Sequence, residues 1–217
     1  FKDGEVVVLA DAQGNKTQPS VVAFGHGSHV VVGHKAKRQL IYAPTNTVAS
    51  SKRLIGRRFR SEQVQRILET TAYDIVEGPN NDPRVQVQNR EYSLPEVSAH
   101  ILRHMRKIAE EATNEVVDQA VITVPAYFDD AQRQATRQAA ELAGIKVLRL
   151  LNEPTAAAVA YGLDEQAEES SLLAVYDLGG GTFDISILRM RAGLFEVLAT
   201  GGDSALGGDD FDREIAR

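Results

Sequence analysis

The chain has 217 residues, 43% hydrophobic and 25% charged, with 24 Lys and Arg against 30 Asp and Glu for a net charge of −6 and no cysteine. Those values suit a globular protein of one large domain or two lobes, while the negative balance argues against a general nucleic-acid surface and the missing cysteines exclude a disulfide framework and thiolate catalysis. No stretch approaches the about 18 apolar residues of a membrane span and no leader-like segment opens the chain, so neither a nucleic-acid nor a membrane partner is expected, and the expected compartment is the cytoplasm.

Asp3-Gly4 before Glu5–Ala10 is a hairpin signal with only Phe1 and Lys2 ahead of it, so a first strand is expected upstream. Val6–Ala10, Pro19–Phe24 and His29–Val32 read as short strands. Residues 34–43 read as a helix stopped by Pro44. Ser50–Arg60 packs five basic residues into eleven; it is either a solvated loop or the source of a cation, Lys52 among them, that reaches a phosphate. Asp74–Glu77 and Val85–Gln88 alternate around a polar tip and predict a hairpin. Ser93-Leu94-Pro95-Glu96 is a capping box for a helix to about Asn114, with Val97, Ile101, Met105, Ile108 and Ala112 on one face. His100 and His104 have the spacing of two metal ligands, but no third is suggested and exposed histidines are common on helices.

From here the pattern is α/β. Ala120–Val124 is an apolar strand closed by Pro125, Asp129 or Asp130 caps a helix to Ala143, and Gly144 stops it. Lys146–Leu151 is another strand, and Asn152-Glu153-Pro154-Thr155 opens a helix of small residues ended by Gly162. Continuous apolar strands alternating with helices predict a sheet covered on both faces, with ligands beyond the strands' carboxyl ends, where Pro125, Glu153 and Asp177 stand. The acidic stretch Asp164–Ser171 reads as a lobe boundary. Phe195–Ala199 predicts a further strand. Asp209–Arg217 begins like a helix without a C-cap, so the chain reads as a fragment cut at both ends.

The most informative run is Leu172–Ile187, an apolar strand, three glycines and a second alternating strand. Gly179, Gly180 and Gly181 permit positive φ and a row of N–H groups suited to an anion, although an ordinary hairpin has the same composition. Alternation puts Thr182, Asp184 and Ser186 on a polar face and Phe183, Ile185 and Ile187 on the expected core face. Asp177 beside a phosphate calls for an intervening cation. Gly201–Asp210 reads as a second phosphate-side loop leading into a helix N-terminus. No P-loop and no G-x-G-x-x-G at a helix start is present, so an acid-flanked hairpin holding a Mg-nucleotide between lobes is expected instead.

Lys52–Arg57, Val124–Phe128, Asp130–Gln134, Asn152–Ala158, Asp177–Asp184 and Gly207–Asp212, in that order across nearly the whole chain, resemble the ATPase domain of the 70-kilodalton heat-shock chaperones. The resemblance implies an actin-like, ribonuclease H-like α/β fold in which residues 1–19 and 94–166 form a first-lobe subdomain, 20–93 a smaller inserted β-rich subdomain and 167–217 the start of a second-lobe subdomain. It implies ATP or ADP with Mg2+, and K+ is compatible with it. Lys52 resembles the lysine on the terminal phosphate, Glu153 and Asp177 the carboxylates around water and magnesium, Asp184 a further metal-side acid, and Thr182 the hydroxyl beside the γ-phosphate. Gly179–Gly181 resemble the second phosphate loop, Pro125 and Arg133 an allosteric relay, and Arg149 and Asn152 positions near a J-domain co-chaperone. Asp209 stands where many relatives carry Glu. A client peptide is expected to bind through a domain outside this chain. The first phosphate hairpin and the adenosine segment are also expected outside it, so the chain by itself is expected to be inactive. Asp129–Arg133, Val147–Leu151 and Thr200–Asp209 look most like the iron-sulfur-assembly members; a generalist folding chaperone and an actin-like filament ATPase are the alternatives.

Overall fold

The computed structural model describes residues 6–27, 29–161, 170–191 and 194–216. They divide into two units, one of residues 1–120 and 135–146 and one of residues 121–134 and 147–217. This division cuts through one strand–helix–strand segment, and the acidic stretch expected as a lobe boundary lies, apart from Ser170 and Ser171, outside the described residues.

In the first unit β1 (Val22–Phe24) is the centre of a small antiparallel sheet between β2 (Val30–Val32) and β3 (Thr47–Val48). Val6–Ala10 forms no strand; no described segment pairs with it, and Val6 and Val8 are exposed, because β propensity without a ladder partner does not make a strand. Helix α1 (His34–Tyr42) buries Ala36 against Val21 and Ala23 and ends before Pro44. Helix α2 (Glu62–Leu68) sets Val64 and Ile67 in the core, an element too short for its periodicity to be read beforehand. The expected hairpin is a three-stranded meander, β4 (Asp74–Glu77), β5 (Pro83–Val87) and β6 (Arg90–Ser93). Gln88 and Asn89, with φ of 51° and 62°, make the two-residue turn between β5 and β6 without a glycine, which hides it from a glycine-based search.

Helix α3 (Leu94–Thr113) begins with the expected box: Ser93 Oγ accepts from Glu96 N–H at 3.3 Å, Ser93 N–H donates to Glu96 Oε2 at 2.7 Å, and Asn114 at φ 58° ends the helix. The buried stripe runs through Val97 and Ile108, whereas Met105 and Ala112 face outward. His100 and His104 lie half-buried rather than exposed. His100 meets the Phe24 ring edge-on at 5.8 Å. His104 Nε2 is 3.3 Å from Gln18 Oε1, and Gln18 Nε2 donates to Asp11, a carboxylate pulled down to about 2, chiefly by hydrogen bonding from Asn15. They join α3 to the strand and loop beside it; no metal cluster occurs among the described residues.

The second unit opens with β7 (Gln119–Val124), whose first two residues belong to the first unit. Its Val124 and Pro125 are buried. Helix α4 (Asp130–Leu142) is capped reciprocally: Asp129 Oδ1 accepts from Gln132 N–H at 2.8 Å and Gln132 Oε1 from Asp129 N–H at 3.2 Å. It stops at Gly144, φ 73°, with Ile145 N–H returning to the Ala140 carbonyl as in a Schellman closure. β8 (Lys146–Asn152) pairs with β7, and α5 (Glu153–Ala160) follows at once. The expected cover on both faces of this pair is not met among the described residues, since Val121 and Leu148 remain more than half exposed.

β9 (Ser171–Leu178), β10 (Phe183–Arg191) and β11 (Leu194–Asp203) form an antiparallel meander, followed by α6 (Gly208–Ile215). Period-two alternation holds along β10, but its burial is the reverse of the expectation. Asp184, Ser186, Leu188 and Met190 are buried, while Ile185 and the β9 residues Leu172, Tyr176 and Leu178 are exposed. Asp184 and Ser186 share a cleft with Glu153 and Pro154 at the start of α5, and a strand's two faces exchange together, so these two polar residues go inside on the same face as Leu188 and Met190.

Burial lowers the pKa of both His100 and His104 below 6.5; Arg103 adds to this for His100, while Asp11 opposes it for His104. A group with a depressed folded-state pKa contributes stability above its unfolded value that is lost as pH falls. The midpoint of chemical denaturation is therefore expected to drop as pH falls through 6.5, and a His100→Gln, His104→Gln double variant to show a shallower drop; an equal slope in the two proteins contradicts this assignment.

Candidate functional site

The β9–β10 register pairs Leu178 with Phe183 and Asp177 with Asp184, leaving residues 179–182 as the loop. Gly179 N–H donates to the Thr182 carbonyl at 2.9 Å, so Gly180 and Gly181 make the reversal. Two expectations change here. None of the three glycines is among the described glycines with positive φ, and Gly179 N–H is committed within the hairpin rather than offered to a ligand. The close approach comes from elsewhere: a Cβ at Gly207 would lie 2.4 Å from the Gly180 oxygen.

The start of α6 explains this contact. Gly208 N–H donates to the Gly179 carbonyl at 3.0 Å and Asp209 N–H to the Gly180 carbonyl at 2.8 Å. Gly207 N–H donates to Asp210 Oδ2 at 2.8 Å, and Asp210 Oδ1 accepts from Arg213 at 3.1 Å. The α6 N-terminus, expected as a phosphate site in its own right, is thus occupied by the glycine turn. The sequence signal for this was Gly207-x-x-Asp210, an acid at capping-box spacing.

Asp177 and Asp184 stand directly opposite each other, hence on one face of the ladder. Asp184 is only 9% exposed, whereas Asp177 is open to solvent. Val175 and Ser186, the next pair on that face, share a small cleft with both acids, and Ser186 Oγ lies 3.1 Å from Thr200 Oγ1. Glu153 and Pro154 from the start of α5, with Pro125 and Ala126 from the end of β7, complete the cleft. The structure therefore brings Glu153, Asp177, Asp184 and Pro125 together within the second unit, with the Gly179–Gly181 turn and Thr182 at the adjoining end of the same hairpin.

Like charges opposed across a ladder destabilise it, and hard carboxylate oxygens suit Mg2+, which keeps much of its water shell. No group of three or more His, Asp or Glu among the described residues is close enough to ligate an ion directly. The donor set fits a hydrated divalent cation held partly through water.

Arg133 straps the cleft's wall. Its Nε donates to the Phe128 carbonyl at 2.9 Å, and one Nη donates to the Ala126 carbonyl at 3.3 Å and to Asn152 Oδ1 at 2.9 Å. Asn152 is the N-cap residue of α5, yet its side chain makes no cap bond and serves Arg133 instead. The guanidinium thereby fixes the loop after Pro125 to the residue before Glu153. Arg149 is exposed on β8. Lys52 belongs to the first unit, exposed on a single 3-10 turn, Ser51–Arg53, with Arg53 buried beside it.

Several sheets with interspersed helices, and an acid-flanked glycine hairpin beside a carboxylate cleft, define a mixed α/β protein. A family model described as Hsp70 protein matches residues 1–217, and the chain belongs to the Hsp70 family. Its members are ATP-dependent chaperones whose nucleotide-binding domain has an actin-like ATPase fold, binds ATP or ADP with Mg2+, and generally works with J-domain co-chaperones and client peptides.

Removing one of two opposed charges relieves the ladder. Without divalent cation, Asp184→Asn is expected to raise stability by about 0.5–1 kcal/mol in urea denaturation, and Mg2+ to stabilise the wild type more than the variant. A less stable variant, or equal Mg2+ effects, contradicts the charge-pair account.

Proposed function

We propose that this chain is the phosphate- and magnesium-handling part of an Hsp70 nucleotide-binding domain that couples ATP binding and hydrolysis to client-peptide binding. The observation that carries this reading is the opposed pair Asp177 and Asp184, sharing a cleft with Glu153 at the base of the glycine hairpin, in a chain of this family. Bound Mg2+ supplies charge neutralisation on the transferring phosphoryl group. Asp177 and Asp184 would hold it through its water shell, and Glu153, from the start of α5, would orient water. The turn at Gly180 and Gly181 aims backbone N–H groups at phosphate oxygens, and the Thr182 hydroxyl stands beside the γ-phosphate. Lys52, a compact point charge, is assigned to the terminal phosphate and to the attacking water. Phosphoryl transfer demands positioning and charge stabilisation rather than a covalent nucleophile.

Pro125 and Arg133 are assigned to relaying the state of Glu153, and the strap from Arg133 to Asn152 supports that role. Arg149 and Asn152 are assigned to the J-domain side; the exposure of Arg149 supports this, whereas Asn152 reaches a partner only with its remaining amide donors. The subdomain plan of residues 1–19 with 94–166, 20–93 and 167–217, the smaller piece inserted in the first, and a cytoplasmic location belong to the same proposal. Motif likeness favours the iron-sulfur-assembly branch over a general folding chaperone: ATP turnover stimulated by an iron-sulfur scaffold protein, and not by a denatured client, supports that assignment, and the reverse overturns it.

In the full-length protein Lys52→Ala is expected to abolish ATP turnover while calorimetry still detects nucleotide binding. An undiminished hydrolysis rate removes Lys52 from the mechanism.

A further inference from the structure

We propose that Gly207 is a positioning residue for the phosphate-side turn: lacking a side chain, it lets the start of α6 seat on Gly180, and that contact sets the direction in which Gly180 presents its N–H group. The inference rests on the assignment of this turn to phosphate.

The geometry is a matter of peptide planes. No cis peptide bond occurs among the described residues. In a trans unit the carbonyl and the following N–H point to opposite sides of the chain. The Gly179 carbonyl shares its plane with Gly180 N–H. With that carbonyl fastened to Gly208 N–H at 3.0 Å, and the Gly180 carbonyl beside it to Asp209 N–H at 2.8 Å, Gly180 N–H is directed away from α6. The fastening also polarises it. Amides at a helix N-terminus carry partial positive charge, and a peptide whose oxygen accepts from such a donor becomes a better donor itself.

Gly207 is what the contact cannot do without. Its φ of −171° is extended backbone that any residue adopts, so conformation does not demand glycine there. Space does. A Cβ would stand 2.4 Å from the Gly180 oxygen, 2.5 Å from its carbonyl carbon and 2.6 Å from Gly181 nitrogen, all backbone atoms of the turn itself. No side chain can swing aside to absorb the clash, so the turn must move. Asp210 completes the seat by accepting Gly207 N–H at 2.8 Å.

The test uses the full-length protein carrying Gly207→Ala or Asp210→Ala. Mg-ADP affinity is measured by calorimetry, KM and kcat for ATP by steady-state assay, and folding by thermal melting. Loss of an aligned donor to a charged oxygen is expected to raise both Kd and KM by about tenfold for Gly207→Ala, with a similar kcat per folded molecule and an intact melting transition. A smaller rise in the same direction is expected for Asp210→Ala, which keeps the question answerable if the alanine at 207 blocks folding. Unchanged Kd and KM with only a lowered melting point or folded fraction mean a merely structural glycine and overturn the proposal. Amide exchange without nucleotide reads the contact independently: Gly208 and Asp209 N–H groups are expected to be protected in the wild type and to exchange faster in both variants. Protection that survives Gly207→Ala overturns the proposal. A wild type that binds no nucleotide overturns instead the phosphate assignment on which it rests.

Discussion

Two backbone hydrogen bonds, from Gly208 and Asp209 to the carbonyls of Gly179 and Gly180, are the constraint on which the second unit's site depends. A glycine turn on its own has the largest backbone entropy to lose and no side chains to hold it. Here the turn is fixed from both sides, by the Gly179–Thr182 bond within the hairpin and by the first turn of α6 outside it. The same bonds satisfy helix-end donors that would otherwise require water or a capping side chain. One contact therefore solves two problems, and because it runs through main-chain atoms it is indifferent to most substitutions in either segment, with Gly207 the exception.

The second constraint is electrostatic. Asp184 is buried and faces Asp177 across the ladder, an arrangement that weakens an isolated hairpin. Leu188 and Met190 on the same face of β10 are buried as well. The hydrophobic half of the strand thus drags its polar half inside. Such local conflicts between polarity and burial concentrate at functional sites, where a ligand of opposite charge removes the conflict. That is the physical link between the inverted face of β10 and the proposed magnesium site.

Much of this was legible in the sequence where a signal is local. The box at Ser93 and Glu96, the cap at Asp129, the stop at Gly144 and the glycine hairpin each depend on residues within a few positions, and each forms as those residues dictate. What escaped was set by partners distant in sequence. Alternation along β10 identified its two faces but not which one meets α5. The half-buried setting of His100 and His104 follows from Phe24 and Gln18, more than seventy residues away. Val6–Ala10 has strand composition but no strand to pair with among the described residues. The Gly207 contact joins two loops whose glycines were visible, yet glycine content alone does not say which glycine answers to φ and which to space.

The role of Arg133 shows why residue type as well as charge matters at the cleft's wall. Its planar fork donates in fixed directions to two carbonyls of the loop after Pro125 and to the amide of Asn152. A lysine has the charge but a single nitrogen, where the guanidinium uses two to reach the Phe128 and Ala126 carbonyls and Asn152 together. Because Asn152 gives its side-chain oxygen to Arg133 instead of capping α5, the helix start that carries Glu153 is referenced to the β7–α4 loop rather than to its own first turn. Displacement of Glu153 is then resisted by the loop that follows Pro125, and displacement of that loop by Glu153's neighbour. This reciprocal stiffness is the least that any relay through Pro125 and Arg133 requires.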